Sequence, residues 1–130
     1  MKKLLIFIIV FFYSTLIFSQ LPGDIDTSFI TNTSSAFYSG FNGIVNSIAV
    51  QQDGKILVGG DFINYQNNTV NRIVRINSDG SFDSTFQSGS GFNSTVKCIY
   101  IQSDGKILVG GSFSNYKGVS ANDFIRLNSD

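Results

Sequence analysis

Nine acids, nine cations and one thiol are what the 130-residue chain offers for acid–base, metal or nucleophilic chemistry. All nine acids are Asp, and there is neither His nor Glu. Without His, no Ser-His-Asp or Cys-His arrangement can form within the chain. One Cys and no His also exclude the common zinc sites. Asp53, Asp79 and Asp104 each precede a Gly. Repeated Asp in exported β-proteins can bind calcium, which takes about six to eight oxygens. Calcium loops gather several Asp or Asn into one short stretch, whereas these are single acids beside Gly. The expected role is a tight turn, with no metal, cofactor or catalytic residue assigned.

Arg75 and Arg126 share one repeat position, and Asp83 and Asp26 share another. If the arginine face is packed, the guanidinium must find an acceptor. A structural Arg–Asp or Arg–carbonyl pair is expected, with Asp83 and Asp26 as partners. Cys98 sits alone in Val96-Lys97-Cys98-Ile99-Tyr100-Ile101. It cannot form an intrachain disulfide and reads as a small buried hydrophobe. Phe41, Phe62 and Tyr65 recur as Phe92, Phe113 and Tyr116. Surface aromatics can stack sugars, but recurrence in each copy points to packing in the core and between repeats. Loops that differ between copies are better placed for ligands: Gln66 to Val70 against Lys117 to Ala121, and the insert Ile30 to Gly40. They are rich in Asn, Ser, Thr and Gly and carry little charge. The sequons at Asn32, Asn67 and Asn93 are expected by chance in so Asn/Ser-rich a chain.

The elements that must position these residues come in tandem. Gln51-Gln52-Asp53-Gly54-Lys55-Ile56-Leu57-Val58-Gly59-Gly60 returns 51 residues later as Gln102-Ser103-Asp104-Gly105-Lys106-Ile107-Leu108-Val109-Gly110-Gly111. Without gaps, residues 41–79 and 92–130 agree at 21 of 39 positions. Such identity at a constant offset means duplication. Gly23-Asp24-Ile25-Asp26-Thr27-Ser28-Phe29 matches Gly80-Ser81-Phe82-Asp83-Ser84-Thr85-Phe86 as a third fragment.

Each repeat parses into four strands. Val45 to Gln51 alternates, with Ile48 and Val50 on one face and Ser47 and Ala49 on the other. Asp53-Gly54 then makes a hairpin turn. Lys55 to Val58 is continuously apolar at its end, as a strand covered on both faces would be. Gly59-Gly60 ends it and lets backbones approach. A polar loop runs from Asp61 to about Asn68. The third strand is Asn71 to Asn77, with Val74 and Ile76 opposite Ile73 and Arg75. Asp79-Gly80 turns into a fourth strand, Phe82 to Phe86. Four short antiparallel strands per repeat, with no helical period, is the pattern of a β-propeller blade.

Residues 1–20 read as a signal peptide. Lys2 and Lys3 precede an apolar run from Leu4 to Phe18, broken only by Ser14 and Thr15 and followed by Ser19-Gln20. At about 15 residues the run falls short of the roughly 20 that span a bilayer comfortably. From Gln20 onward seven basic residues face nine acids (9 − 2 against 9), so no basic footprint marks a nucleic-acid partner. Residues 21–130 are then a partial propeller: a fourth-strand segment 23–29, a loop insert 30–40, repeat one 41–91 and an incomplete repeat two 92–130.

Asp-Gly-Lys-Ile-Leu-Val-Gly-Gly-x-Phe, followed by Asn-x-x-x-Arg-[Ile/Leu]-Asn-Ser-Asp-Gly-x-[Phe/Leu]-Asp-x-[Ser/Thr]-Phe, resembles the delta-60 repeat of large exported bacterial β-propeller proteins. The resemblance covers Gly23 to Asp130. It implies an all-β fold of four-stranded blades and a destination outside the cell or on its surface. It also implies, for a longer parent, a C-terminal sorting domain for type IX secretion. It carries over no catalytic residue. Ser78-Asp79-Gly80-Ser81-Phe82 is similar to the Asp-box turn of other propellers but lacks its spacing, and reads as a structural turn.

Propellers close with about four to eight blades. Two blades are therefore expected to be a fragment of a larger ring, or else several copies assemble into one. The expected partners are neighbouring blades, from the same parent chain or a homo-oligomer, and a surface glycan or protein. Two functions follow. One is a non-catalytic exported binding, adhesion or scaffold module. The other is a piece of a propeller enzyme, a quinoprotein dehydrogenase or a glycan-active enzyme, whose active site lies in other blades.

Overall fold

The computed structural model describes residues 22–24, 26, 29, 40–86 and 88–129. The expected signal peptide 1–20, residues 30–39 of the insert and Ile25, Thr27 and Ser28 of segment 23–29 lie outside the described residues. Among the described residues, no helix is long and apolar enough to cross a membrane.

The chain is all-β and built as two antiparallel blades. In blade one, β1 (Ile44–Val50), β2 (Ile56–Asp61) and β5 (Ile73–Ile76) pair in the order β1-β2-β5. A small hairpin of β3 (Asn64–Tyr65) and β4 (Asn68–Thr69) stands between β2 and β5. Blade two repeats this with β6 (Val96–Ile101), β7 (Ile107–Gly111) and β10 (Phe124–Leu127), and a small hairpin of β8 (Asn115–Tyr116) and β9 (Val119–Ser120). The continuously apolar segment is the central strand of each sheet, and in blade one both of its faces are buried, through Leu57 and Val58.

Two features of the sequence set the local path. The first is the turn from β1 to β2. The Gln51 N–H donates to the Lys55 carbonyl at 2.8 Å and the Gly54 N–H to the Gln51 carbonyl at 3.0 Å. Gly54 has φ +83°, as the third residue of a bulged hairpin loop requires. Gly105 repeats it at +83°. The second is the glycine pair. A Cβ on Gly60 would lie 2.0 Å from the Ile44 carbonyl oxygen, and one on Gly111 would lie 2.2 Å from that of Thr95. Each contact falls beside a register shift in the first strand, between Val45 and Ser47 and between Val96 and Cys98.

The strands carry their residues on the faces that alternation requires. Val58, Val74 and Ile76 pack with Phe62, Tyr65 and Val70 on the leading face of blade one. Leu57 and Ile73 point the other way, into a core shared with Val96, Ile99, Ile107 and Val109 of blade two. The blades therefore stack trailing face to leading face.

Three local expectations change. β2 runs through Gly59-Gly60 to Asp61 rather than ending at the glycines. The stretch Phe82 to Phe86 pairs with the sheet through one isolated bridge, Ile76 to Phe82. Asp83 then accepts from the Thr85 N–H at 3.0 Å and from its hydroxyl at 2.6 Å. This local side-chain turn takes backbone partners that a longer strand would need. The polar loop after β2 is not irregular throughout. Gln66 and Asn67 at φ 45° and 63° make a two-residue turn with left-handed backbone, which closes the β3–β4 hairpin.

Candidate functional site

The polar residues that recur in both repeats divide into three groups. The first is the turn carboxylates. Asp53 accepts from the Lys55 N–H at 3.1 Å, Asp79 from the Ser81 N–H at 2.9 Å, and Asp104 from the Lys106 N–H at 3.1 Å. Each side chain reaches two residues ahead, as an Asx-turn does. The Ser81 hydroxyl and N–H hold the Asp79 carboxyl below the usual carboxylate range. The Lys106 ammonium and N–H do the same for Asp104. Among the described residues, no three of His, Cys, Asp and Glu gather where they could hold a metal ion.

The second group is a buried hub at the seam between the blades. Arg75 lies on β5 with its Nε 2.7 Å from Asp83 Oδ2. Its Nη2 donates to Thr85 Oγ1 at 3.1 Å, and its Nη1 crosses to the Ser129 carbonyl of blade two at 2.6 Å. Lys55 Nζ reaches the same Asp83 oxygen at 3.0 Å, and the Phe86 ring lies 5.0 Å below the guanidinium. Burial opposes the Asp83 charge. Hydrogen bonds from the Thr85 hydroxyl, Lys55, the Thr85 N–H and Arg75 outweigh it and hold the carboxyl well below the usual range. The Arg75–Asp83 pair thus forms as the sequence leads one to expect. At Arg126 no such ion pair forms among the described residues, and its side chain is exposed.

A cleft of about 430 Å³ opens beside this hub, lined among others by Gln51, Lys55, Arg75, Ile101 and Ser129. Its cationic heads are already engaged by Asp83 and the Ser129 carbonyl. It therefore presents spent charge rather than a free anion site.

The third group is at the small hairpins. Asn42 Oδ1 accepts from the Ile63 and Asn64 N–H groups at 2.9 and 2.8 Å. Asn93 Oδ1 accepts likewise from Ser114 and Asn115 at 3.1 and 3.0 Å. These clamps escaped the sequence reading, although Phe41-Asn42 and Phe92-Asn93 sit at the same offset and were the available signal. The flanking rings form repeated clusters: Phe41 is 4.6 Å from Phe62 and from Tyr65, and Phe92 is 4.3 Å from Phe113 and 4.5 Å from Tyr116. Phe62, Phe92 and Phe113 are almost wholly buried, so they pack rather than stack a sugar. The Tyr65 hydroxyl donates to the Gly80 carbonyl. Burial and then the Asp79 charge push its phenol up, and burial alone does so for Tyr116.

Beside the first clamp lies a cleft of about 340 Å³, lined by Gly40, Asn42, Asn64 and Asn67. Asn67 is at the hairpin tip, where the two repeats differ in sequence, and it is exposed. Its described lining residues carry no charge and offer amide donors and acceptors.

Cys98 corrects an expectation. It is exposed, not buried, with its Sγ 3.8 Å from the Gly110 carbonyl oxygen on the trailing face of blade two. Ser47, its counterpart in blade one, is half-buried where the blades meet and accepts from the Ile99 N–H at 2.9 Å.

Residues 51–86 and 102–130, together half of the chain, match a β-propeller domain of unknown function (DUF5122). Searches of the curated proteins and of the solved structures gave no match.

Proposed function

The chain belongs to this β-propeller family, and on that premise we propose that it is an exported, non-catalytic binding module of the delta-60 repeat type. Its role is adhesion or scaffolding at the cell surface or outside the cell. One observation carries the reading: the repeated polar side chains are consumed in holding backbone and blades together. Asp53, Asp79 and Asp104 cap turns, Asp83 and Arg75 join the blades, and Asn42 and Asn93 clamp loops. Among the described residues, the amide-lined cleft at Asn64 and Asn67 is open to a partner. Hydrogen-bonding surfaces of this kind suit a glycan or a polar protein face, with orientation set by a few placed groups. Export is supported by the charged and apolar leader, and delivery by type IX secretion by the repeat resemblance for a longer parent.

Binding to a glycan array tests this directly. Asn67→Gly, which keeps the left-handed backbone that Gly118 adopts at the equivalent tip, should abolish the strongest signal while leaving the melting temperature unchanged. Catalytic turnover of a glycan or alcohol substrate, with no saturable binding lost in the variant, would overturn the reading.

A further inference from the structure

The two asparagine clamps have the same geometry but different neighbours. The sequence holds one Asn-Gly dipeptide, Asn42-Gly43, whereas Asn93 precedes Ser94. The backbone nitrogen that follows an asparagine is a nucleophile within reach of the side-chain amide. Glycine leaves that nitrogen uncrowded, because it has no Cβ.

Three features of the structure favour attack at Asn42. The nucleophile is not engaged: Gly43 precedes β1, and among the described residues no turn or loop hydrogen bond is made by its N–H. The electrophile is polarised, since Asn42 Oδ1 accepts from the Ile63 and Asn64 N–H groups at 2.9 and 2.8 Å. Two backbone N–H groups on one carbonyl oxygen are the arrangement that stabilises a tetrahedral oxyanion in acyl transfer. The glycine is required by the fold. A Cβ at position 43 would lie 2.1 Å from the Asp61 carbonyl oxygen, a backbone atom that cannot swing aside. The packing that demands glycine is therefore the packing that leaves the amide open to attack.

From this we propose that Asn42 is a site of spontaneous deamidation, and that its conversion makes the cleft beside it anionic. Hydroxide takes the Gly43 N–H proton, and the nitrogen bonds to Asn42 Cγ while the clamp N–H groups hold the oxyanion. The Cγ–Nδ2 bond breaks, and Nδ2 leaves as ammonia with a proton from water. Water then opens the cyclic imide at either carbonyl, leaving aspartate or isoaspartate. One water is consumed for each ammonia released, and nothing is oxidised or reduced. Aspartate keeps the clamp, because a carboxylate oxygen accepts as an amide oxygen does. Isoaspartate adds a main-chain carbon ahead of β1 and moves the carboxylate to another carbon. Either product places a negative charge in a cleft lined by Gly40, Asn42, Asn64 and Asn67. The charge bears on the binding-module reading, but the conversion itself does not rest on it.

Peptide mapping by mass spectrometry of the full chain, incubated at neutral and mildly alkaline pH, tests the chemistry. The peptide with Asn42 should gain the mass of an amide-to-acid change about tenfold faster than the one with Asn93, which has the clamp but not the glycine. The rate should rise with pH. In the folded chain it should be at least as fast as in urea, where the clamp is absent. Ser94→Gly should bring Asn93 to the rate of Asn42. Should that variant lose its β circular dichroism, the comparison of folded and urea-unfolded parent decides alone. Equal rates at the two asparagines, slower conversion in the folded chain than in urea, or an Asn93 rate unmoved in a folded Ser94→Gly variant would each overturn the proposal. A chain that binds no glycan on the array yet converts at Asn42 would overturn the binding-module reading and support this one.

Discussion

Ile73 and Phe124 occupy the same place in their repeats, and one is wholly buried while the other faces solvent. Arg75 and Arg126 differ in the same way, the first tied to Asp83 and Ser129 and the second exposed. On the other side of the blades the inequality reverses: Ile99 is buried and Ile48 is not. The two blades agree at 21 of 39 aligned positions and share one strand pattern, and at Ile73 and Phe124 what separates them is which flank has a neighbour. At these positions burial is set by the joint, whereas Val58 and Val74 on the leading face of blade one are buried within their own cluster.

Substituting equivalent positions in pairs turns that contrast into measurements, best made by urea unfolding at concentrations where the chain is monomeric. The largest gap is expected for Ile73→Ala, which should cost about 4 kcal/mol through lost burial and a residual cavity. Phe124→Ala should stay within about 0.5 kcal/mol. Equal losses at both sites would mean that the second blade is covered after all. Next come the arginines. Arg75→Met leaves Asp83 buried with only Lys55 opposite it, and a loss of about 3 kcal/mol is expected. Arg126→Met should leave the unfolding midpoint where it was. The glycines come third. Gly59→Ala drives a methyl into Val96 and Ile99, at about 2 kcal/mol. Gly110→Ala meets only the exposed Cys98 sulfur at 2.7 Å, which can swing away, so the midpoint should shift far less.

The smallest effect is in acid. The Asp83 carboxyl is held low in the folded state and titrates near 3.9 when unfolded, at roughly the ordinary value. As pH falls, the unfolded chain takes up that proton first. Stability from this group is therefore complete above about pH 5 and declines below about pH 4. Asp83→Asn should flatten that part of the curve, whereas Arg126→Met should leave it superimposed on the parent. An acid limb that survives Asp83→Asn would assign the effect to another carboxylate.

Much of this frame was readable before any coordinates. Alternation placed Ile73 and Arg75 opposite Val74 and Ile76, and the need of a packed guanidinium for an acceptor marked Asp83 as a candidate partner. The Asp-Gly turns followed from glycine's tolerance of left-handed backbone. The misses have physical causes. The small hairpins have two residues per strand, too few for alternation to register. The fourth strand shortens because the Asp83 side chain captures the Thr85 backbone, a competition invisible to hydrophobic pattern. Cys98 lies on a strand with every mark of burial, and its exposure depends on what stands beside the blade. The Asn42 and Asn93 clamps bind backbone twenty-one or twenty-two residues away, a separation over which no local rule operates.

The left-handed tips of the small hairpins have one further consequence. Gln66-Asn67 in one copy and Lys117-Gly118 in the other reach the same backbone shape with unrelated side chains. The second residue of each tip is thereby free to vary, whereas the Gln66 amide is tied to the Gly80 carbonyl at 3.1 Å. A library randomised at Asn67 and Gly118, weighted toward Gly, Asn and Asp, would diversify what the molecule displays while the frame beneath keeps its shape.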